Sequence, residues 1–93
     1  MDDEMIQRLI NTGMAWRLEG SIGRECMRAI EAGRAMLGTE SHRDYYGNFV
    51  PSRYDVFAGM KGSFDFVVER MGMDHAQAMA DVDADAMAIS FSD

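Results

Sequence analysis

Cys26, His42 and Asp44 supply a thiol, an imidazole and a carboxylate, the groups that together activate a thiolate when they meet. Cys26, however, falls on the apolar stripe of a helical segment, where a thiol is inert filler. None of the serines sits in the glycine-flanked turn of a nucleophile elbow. The run Asp81-Val82-Asp83-Ala84-Asp85 has the spacing of the first three ligands of an EF-hand loop. Ala86 then stands where the loop needs a glycine for its sharp turn, and Ser92 where it needs a bidentate glutamate. His42 with Asp44, and His75 with Asp74, each offer two ligands where a transition metal wants three or four. Gly20-Ser21-Ile22-Gly23-Arg24 brings two glycines and an arginine to a helix start, where free amides can hold an anion. It is too short for a Walker loop and follows a helix rather than a strand. Each set is incomplete, so the sequence implies no catalytic residue, no metal site and no cofactor.

The remaining concentration of chemistry is aromatic. Tyr45, Tyr46, Phe49, Tyr54 and Phe57 fall within thirteen residues, interleaved with Arg43 and Arg53. Tyrosine and arginine combine apolar area with a directed polar group, which is why both are enriched at protein-binding hot spots. Arg43, Tyr45, Tyr46, Phe49, Arg53 and Tyr54 are therefore the candidate partner-binding residues, on an arm expected to be held rigid with rings and guanidinium groups turned outward. The plainer alternative is a structural clasp that packs its rings on Trp16 and the helices.

The elements that position this arm follow from apolar spacing. Met5, Ile6, Leu9, Ile10, Gly13 and Trp16 recur at three and four residues, predicting a helix over 2–19 with Asp2, Asp3 and Glu4 at its dipole-favoured start. Ile22, Cys26, Ala29, Ile30, Gly33 and Leu37 predict a second helix over 21–37, capped by Ser21, with Arg24, Arg28 and Glu31 on its opposite face. So short a connection makes a helical hairpin. Gly13, Gly23 and Gly33 inside the two helices each cost up to ~1 kcal/mol. Close approach of the backbones at Gly13 and Gly33 would compensate.

Residues 39–62 lose the helical period and form the aromatic arm, in which Tyr45-Tyr46-Gly47-Asn48-Phe49-Val50 has the composition of a short β-hairpin. Ser63 reads as the cap of a short helix over 63–71. Asp74 and Gln77 approximate a capping box for a longer helix over 74–88, with a tail over 89–93. Strict alternation from Asp81 to Ala86 is the strand pattern, and leaves open whether the end is helix, strand or tail. The expected fold is mainly α in one small domain, 1–93.

Composition narrows the function. An apolar fraction of 47 % with 27 % charged residues is that of a folded domain, which excludes wholesale disorder. No apolar run nears the ~20 residues of a membrane span, and the acidic first residues do not resemble a leader, so a cytoplasmic protein is expected. The net charge of −7 is uneven: residues 71–93 hold five aspartates and no base. Such a segment is repelled by phosphates, which disfavours nucleic acid and membrane as partners, and is attracted to basic protein surfaces. The small core would gain from burial against a partner, which leaves open whether the chain is a monomer or a homo-oligomer.

Ala15-Trp16-Arg17-Leu18-Glu19-Gly20-Ser21-Ile22-Gly23-Arg24, His42-Arg43-Asp44-Tyr45-Tyr46-Gly47-Asn48-Phe49-Val50-Pro51-Ser52-Arg53, and Lys61-Gly62-Ser63 with Phe66-Val67 resemble a family of small uncharacterised proteins encoded by phages of actinobacteria. The resemblance covers residues 9–71 and leaves out the acidic C-terminal segment. It implies a phage-encoded protein made in a GC-rich host, in keeping with eight arginines to one lysine, and implies no activity or cofactor.

The function these features point to is a protein-interaction module, not an enzyme. It would bind and modulate a host protein through the loop from His42 to Phe57, with the acidic segment mimicking an anionic ligand. The alternatives are a nucleic-acid-binding regulator using Arg17, Arg24, Arg28, Arg43 and Arg53, and a structural or virion component.

Overall fold

The computed structural model describes residues 1–18 and 20–82, and they form a mainly helical fold with one two-stranded sheet. The first helix, α1, spans Asp3–Thr12. Asp2 caps it, its Oδ1 accepting the Met5 N–H at 2.8 Å, and Asp3 and Glu4 follow in the first turn. Ile6 and Ile10, one turn apart, are fully buried.

The helix expected over 2–19 is broken at Gly13. This residue takes a left-handed conformation (φ 82°) and its N–H closes on Ile10 O, after which Met14–Arg17 form a separate short helix, α2. A Cβ on Gly13 would lie 2.6 Å from Nδ1 of His42. The glycine thus both stops α1 and leaves room for the histidine ring, a role that apolar spacing does not reveal.

The second predicted helix is α3, Ser21–Ala32, several residues shorter than expected. Its N-cap is Gly20, and Ser21, expected to cap it, is its first helical residue. It ends in a Schellman motif, with Gly33 N–H bonded to Ile30 O at 3.1 Å and Arg34 N–H to Ala29 O at 2.9 Å. Gly33 has φ 81°, and a Cβ there would strike Cβ and Cγ of Arg70 at 2.6 Å. The close approach of the first helices belongs instead to Gly23, where a Cβ would sit 3.1 Å from Ala15 O.

From Ala35 to Gly38 the chain runs buried and non-helical past α1. The strands β1 (His42–Arg43) and β2 (Phe49–Val50) then pair antiparallel, His42 opposite Val50 and Arg43 opposite Phe49. The expected hairpin is present in a different register: Tyr45 and Tyr46 belong to the turn, not to a strand.

Helix α4, Phe64–Met71, starts where Ser63 predicts it, with Ser63 Oγ accepting the Phe66 N–H at 3.1 Å. Helix α5, Met73–Ala80, follows Gly72, which is its N-cap. The anticipated capping box is not made, since the Gln77 amide donates forward to Asp81 at 3.0 Å. The remainder of the helix expected to 88, the tail, the EF-hand-like spacing beyond Val82 and the acidic segment expected to mimic a ligand lie outside the described residues.

Two apolar clusters hold these elements. Ile6, Ile10, Ala15, Trp16, Cys26, Ala29, Ile30, Ala35 and Leu37 pack between the first three helices and the segment that follows them. Met36, Val67, Ala76 and Met79 pack α4 and α5 against the far side of that segment.

A polar network runs between the clusters. Gln7, fully buried, brackets Met36: its Nε2 donates to Met36 O at 2.8 Å and its Oε1 accepts the Met36 N–H at 2.9 Å. Gln7 Nε2 also donates to Asn11 Oδ1 at 3.0 Å, and Asn11 Nδ2 donates to Val82 O at 2.7 Å. One amide thereby satisfies a stretch of buried backbone that neither helix nor sheet serves. Among the described residues no helix is long and apolar enough to cross a membrane.

Candidate functional site

The tip of the arm is built around Asp44. Its Oδ1 accepts the N–H groups of Tyr46 at 2.9 Å and Asn48 at 2.8 Å, and its Oδ2 accepts from the Asn48 side chain at 3.3 Å. The Asp44 N–H donates to Asn48 O at 2.9 Å and Gly47 N–H returns to Asp44 O at 3.0 Å. Gly47 supplies the positive φ of 85° that closes the turn. Arg43 Nη1 ties the turn from outside through Gly47 O at 3.0 Å. The tip is also pinned to the helices, because Tyr45 N–H donates to Trp16 O at 2.7 Å.

The hydrogen bond from the Asn48 N–H, with those from the Asn48 side chain and the N–H groups of Tyr46 and Gly47, holds the Asp44 carboxyl below its ordinary value. A carboxyl lowered in the folded state favours that state above its unfolded value and loses the contribution as pH falls through the folded one. Acidification should therefore lower the protection of the Tyr46 and Asn48 amide protons, taken relative to intrinsic exchange at each pH, before the helices unfold, with the Asp44 carboxyl carbon titrating below the free-aspartate midpoint in an NMR series. A midpoint at or above the free value would show that the turn is not organised by the ionised carboxylate.

Against this frame the rings point outward. Tyr45, Tyr46, Phe49, Tyr54 and Phe57 are 60, 80, 58, 73 and 81 % exposed, so the arm does not clasp the helices through its aromatics. Tyr45 and Tyr46 meet edge to face with centroids 5.2 Å apart. Such a contact limits the freedom of two exposed rings and reduces what a partner must immobilise.

Arg53, expected to face outward with them, is turned inward and only 8 % exposed. Its Nε donates to Leu37 O at 2.7 Å and its Nη2 approaches Asn11 Oδ1 at 3.4 Å, while its N–H bonds Gly38 O at 2.8 Å. Burial pushes its guanidinium down from its ordinary value. Arg53 is the bolt that fixes the arm to the Gln7–Asn11 network rather than a contact residue. The reason is local: Asp55 Oδ2 accepts both the N–H and the hydroxyl of Ser52 at 3.0 Å, and the resulting turn puts Tyr54 outside and Arg53 inside.

Tyr45 and Tyr46 form one side of an open groove of about 670 Å³. Ala15 and Trp16 of α2 lie at its floor, and Gly23, Arg24, Met27 and Arg28 of α3 make the other wall. Glu31 and Asp44 also line it. Phe49, Tyr54 and Phe57 do not line this groove and extend the exposed apolar surface elsewhere on the arm. From sequence, Arg24 and Arg28 entered only the nucleic-acid alternative and, for Arg24, the anion-holding helix start; that they share a groove with Tyr45 and Tyr46 was not legible, although their four-residue spacing on the polar face marks them as neighbours.

The thiol, imidazole and carboxylate of Cys26, His42 and Asp44 do not assemble. Cys26 is fully buried, and burial followed by the charge of Glu25 raises its thiol pKa. His42 Nε2 is buried without a hydrogen-bond partner, and the Asp44 oxygens are taken by their own turn. Among the described residues no three His, Cys, Asp or Glu side chains converge as metal ligands. His75 instead bonds Arg34 O at 2.8 Å and lies 3.6 Å from Asp3.

Comparison of the chain with models of protein families, with curated proteins and with solved structures finds no match.

Proposed function

We propose that this chain is a small phage-encoded interaction module that binds a host protein and modulates it through the tyrosine turn and the adjoining groove. The observation that carries the reading is the outward display of all five arm rings on a segment bolted down by Arg53 and by the Tyr45 to Trp16 bond. Exposed rings on a mobile loop would lose much of their binding energy to ordering, whereas a fixed turn keeps it. Aromatic area of this kind, beside a groove with a buried floor, is the composition of a hot spot.

Nucleic acid fits less well. Arg53 is withdrawn from the basic set, Glu31 and Asp44 interrupt the rest, and the chain carries −7 overall.

Affinity capture from actinobacterial lysate with the full chain should return one saturable protein partner, and the double substitution Tyr45→Ala with Tyr46→Ala should remove it while the melting temperature stays within a few degrees. Capture that survives both substitutions would remove the tyrosine turn from the interface.

A further inference from the structure

We infer that the groove between α3 and the tyrosine turn receives an acidic segment of a partner protein, its carboxylates held by Arg24 and Arg28 and a neighbouring apolar side chain seated over Trp16 and Met27. This rests on the interaction reading above and names the chemistry of the partner. Arg24 and Arg28 stand one helical turn apart on α3, both exposed and both on the groove. Neither is in an ion pair among the described residues, whereas Arg8 and Arg34 have Glu4 and Asp3. Two like charges at this spacing repel one another slightly, so a shared carboxylate partner relieves a cost already present in the free chain. A guanidinium also offers a carboxylate two parallel hydrogen bonds, a geometry that an ammonium does not provide.

The other lining residues say how far the acidic stretch extends. Asp44 stands on the turn side and Glu31 near the C-terminal end of α3, so negative charge bounds the arginine pair. A continuous polyanion laid along the groove would meet both carboxylates. One or two acidic side chains next to an apolar one would meet only the arginines and the apolar floor. Trp16 gives that floor a flat, mostly buried face, and Met27, half exposed, adapts to the shape placed on it.

The test uses the full chain, labelled with nitrogen-15, and three short peptides that share their apolar residues and carry glutamate, glutamine or lysine at the polar positions. The glutamate peptide should shift the amides of Gly23, Arg24, Arg28, Tyr45 and Tyr46 and the Trp16 indole, with the glutamine peptide about ten-fold weaker and the lysine peptide weaker still. Arg24→Gln with Arg28→Gln should remove the preference for glutamate at an unchanged melting temperature. Arg24→Glu with Arg28→Glu should transfer it to the lysine peptide.

Equal affinity for glutamate and glutamine peptides, shifts that map away from the groove, or oligothymidylate binding tighter than the glutamate peptide at the same arginines would each overturn the inference. The lysate capture separates this failure from that of the broader reading. A partner lost with the tyrosine substitutions but kept with the two glutamines leaves the tyrosine turn as the binding face and removes the acidic segment, whereas a partner indifferent to all four substitutions removes the turn and the groove together from the interface.

Discussion

Gln7→Leu is expected to lower the unfolding free energy by about 4 kcal/mol, although leucine is the more apolar residue and nearly the same size. Gln7 is fully buried, and its amide is the partner of both the N–H and the carbonyl of Met36. Leucine would leave both backbone groups in an apolar interior, each at roughly 1–3 kcal/mol, and would free one acceptor site on Asn11. The gain in apolar transfer does not offset this, because the side chain is out of water in either case. Urea unfolding followed by circular dichroism measures the loss. A change below about 1 kcal/mol would mean that water or a backbone shift replaces the amide, and that the network does not hold the chain after α3 against α1.

The second large effect is at Arg53. Its replacement by alanine is expected to cost about 3 kcal/mol, a substantial part of the 5–15 kcal/mol typical of a folded domain. Two contributions add. Leu37 O loses its donor, and the long apolar stem of the arginine no longer fills the space under the arm.

A third contribution opposes them, because a guanidinium only 8 % exposed has given up hydration without an ion-pair partner among the described residues. Arg53→Met, which restores the stem and removes the charge, should therefore cost clearly less than Arg53→Ala. If methionine is as damaging as alanine, the hydrogen bond dominates and the buried charge is cheap. Tyr46→Ala is the surface control, expected to stay within about 0.5 kcal/mol. Because Asn11 Oδ1 accepts from both Gln7 and Arg53, the two large substitutions should not add, and a double-mutant cycle reads their coupling directly.

The expected loss at Arg53 also bears on function. An arm released from Leu37 would still present its rings, but on a segment free to move, so partner affinity should fall together with stability. The tyrosine substitutions should lower affinity alone. That contrast distinguishes the bolt from the face it supports.

Several elements were legible in the residues before any fold was known. The start of α1 follows from Asp2, Asp3 and Glu4 ahead of an apolar stripe, and α4 from Ser63 and the spacing of Phe66 and Val67, because caps and periodicity are properties of consecutive residues. Cys26 was legible as buried for the same reason, its place on a stripe fixing the side it faces. The presence of a turn was signalled by the Gly47-Asn48 pair, although its register was not. Asp44 rather than the Gly47-Asn48 pair organises it, and the tyrosines sit where the hairpin reading put strand.

The remaining features depend on groups distant in sequence. Gly13 and Gly33 match the helical period as well as any small residue does, yet both adopt a left-handed φ and end their helices, and His42 and Arg70 occupy the space their side chains would need. Arg53 reads as a surface cation until Leu37 and Asn11 supply acceptors that let it be buried, and Gln7 reads as an ordinary polar position on α1 until Met36 is laid against it. The groove follows the same rule. Residue type and local spacing determined which segments coil and which side chains carry binding chemistry. Whether a glycine bends the chain, whether an arginine faces protein or solvent, and which tyrosines share a wall with Arg24 and Arg28 were decided by tertiary contact, since each depends on the free energy of a pair that only folding brings together.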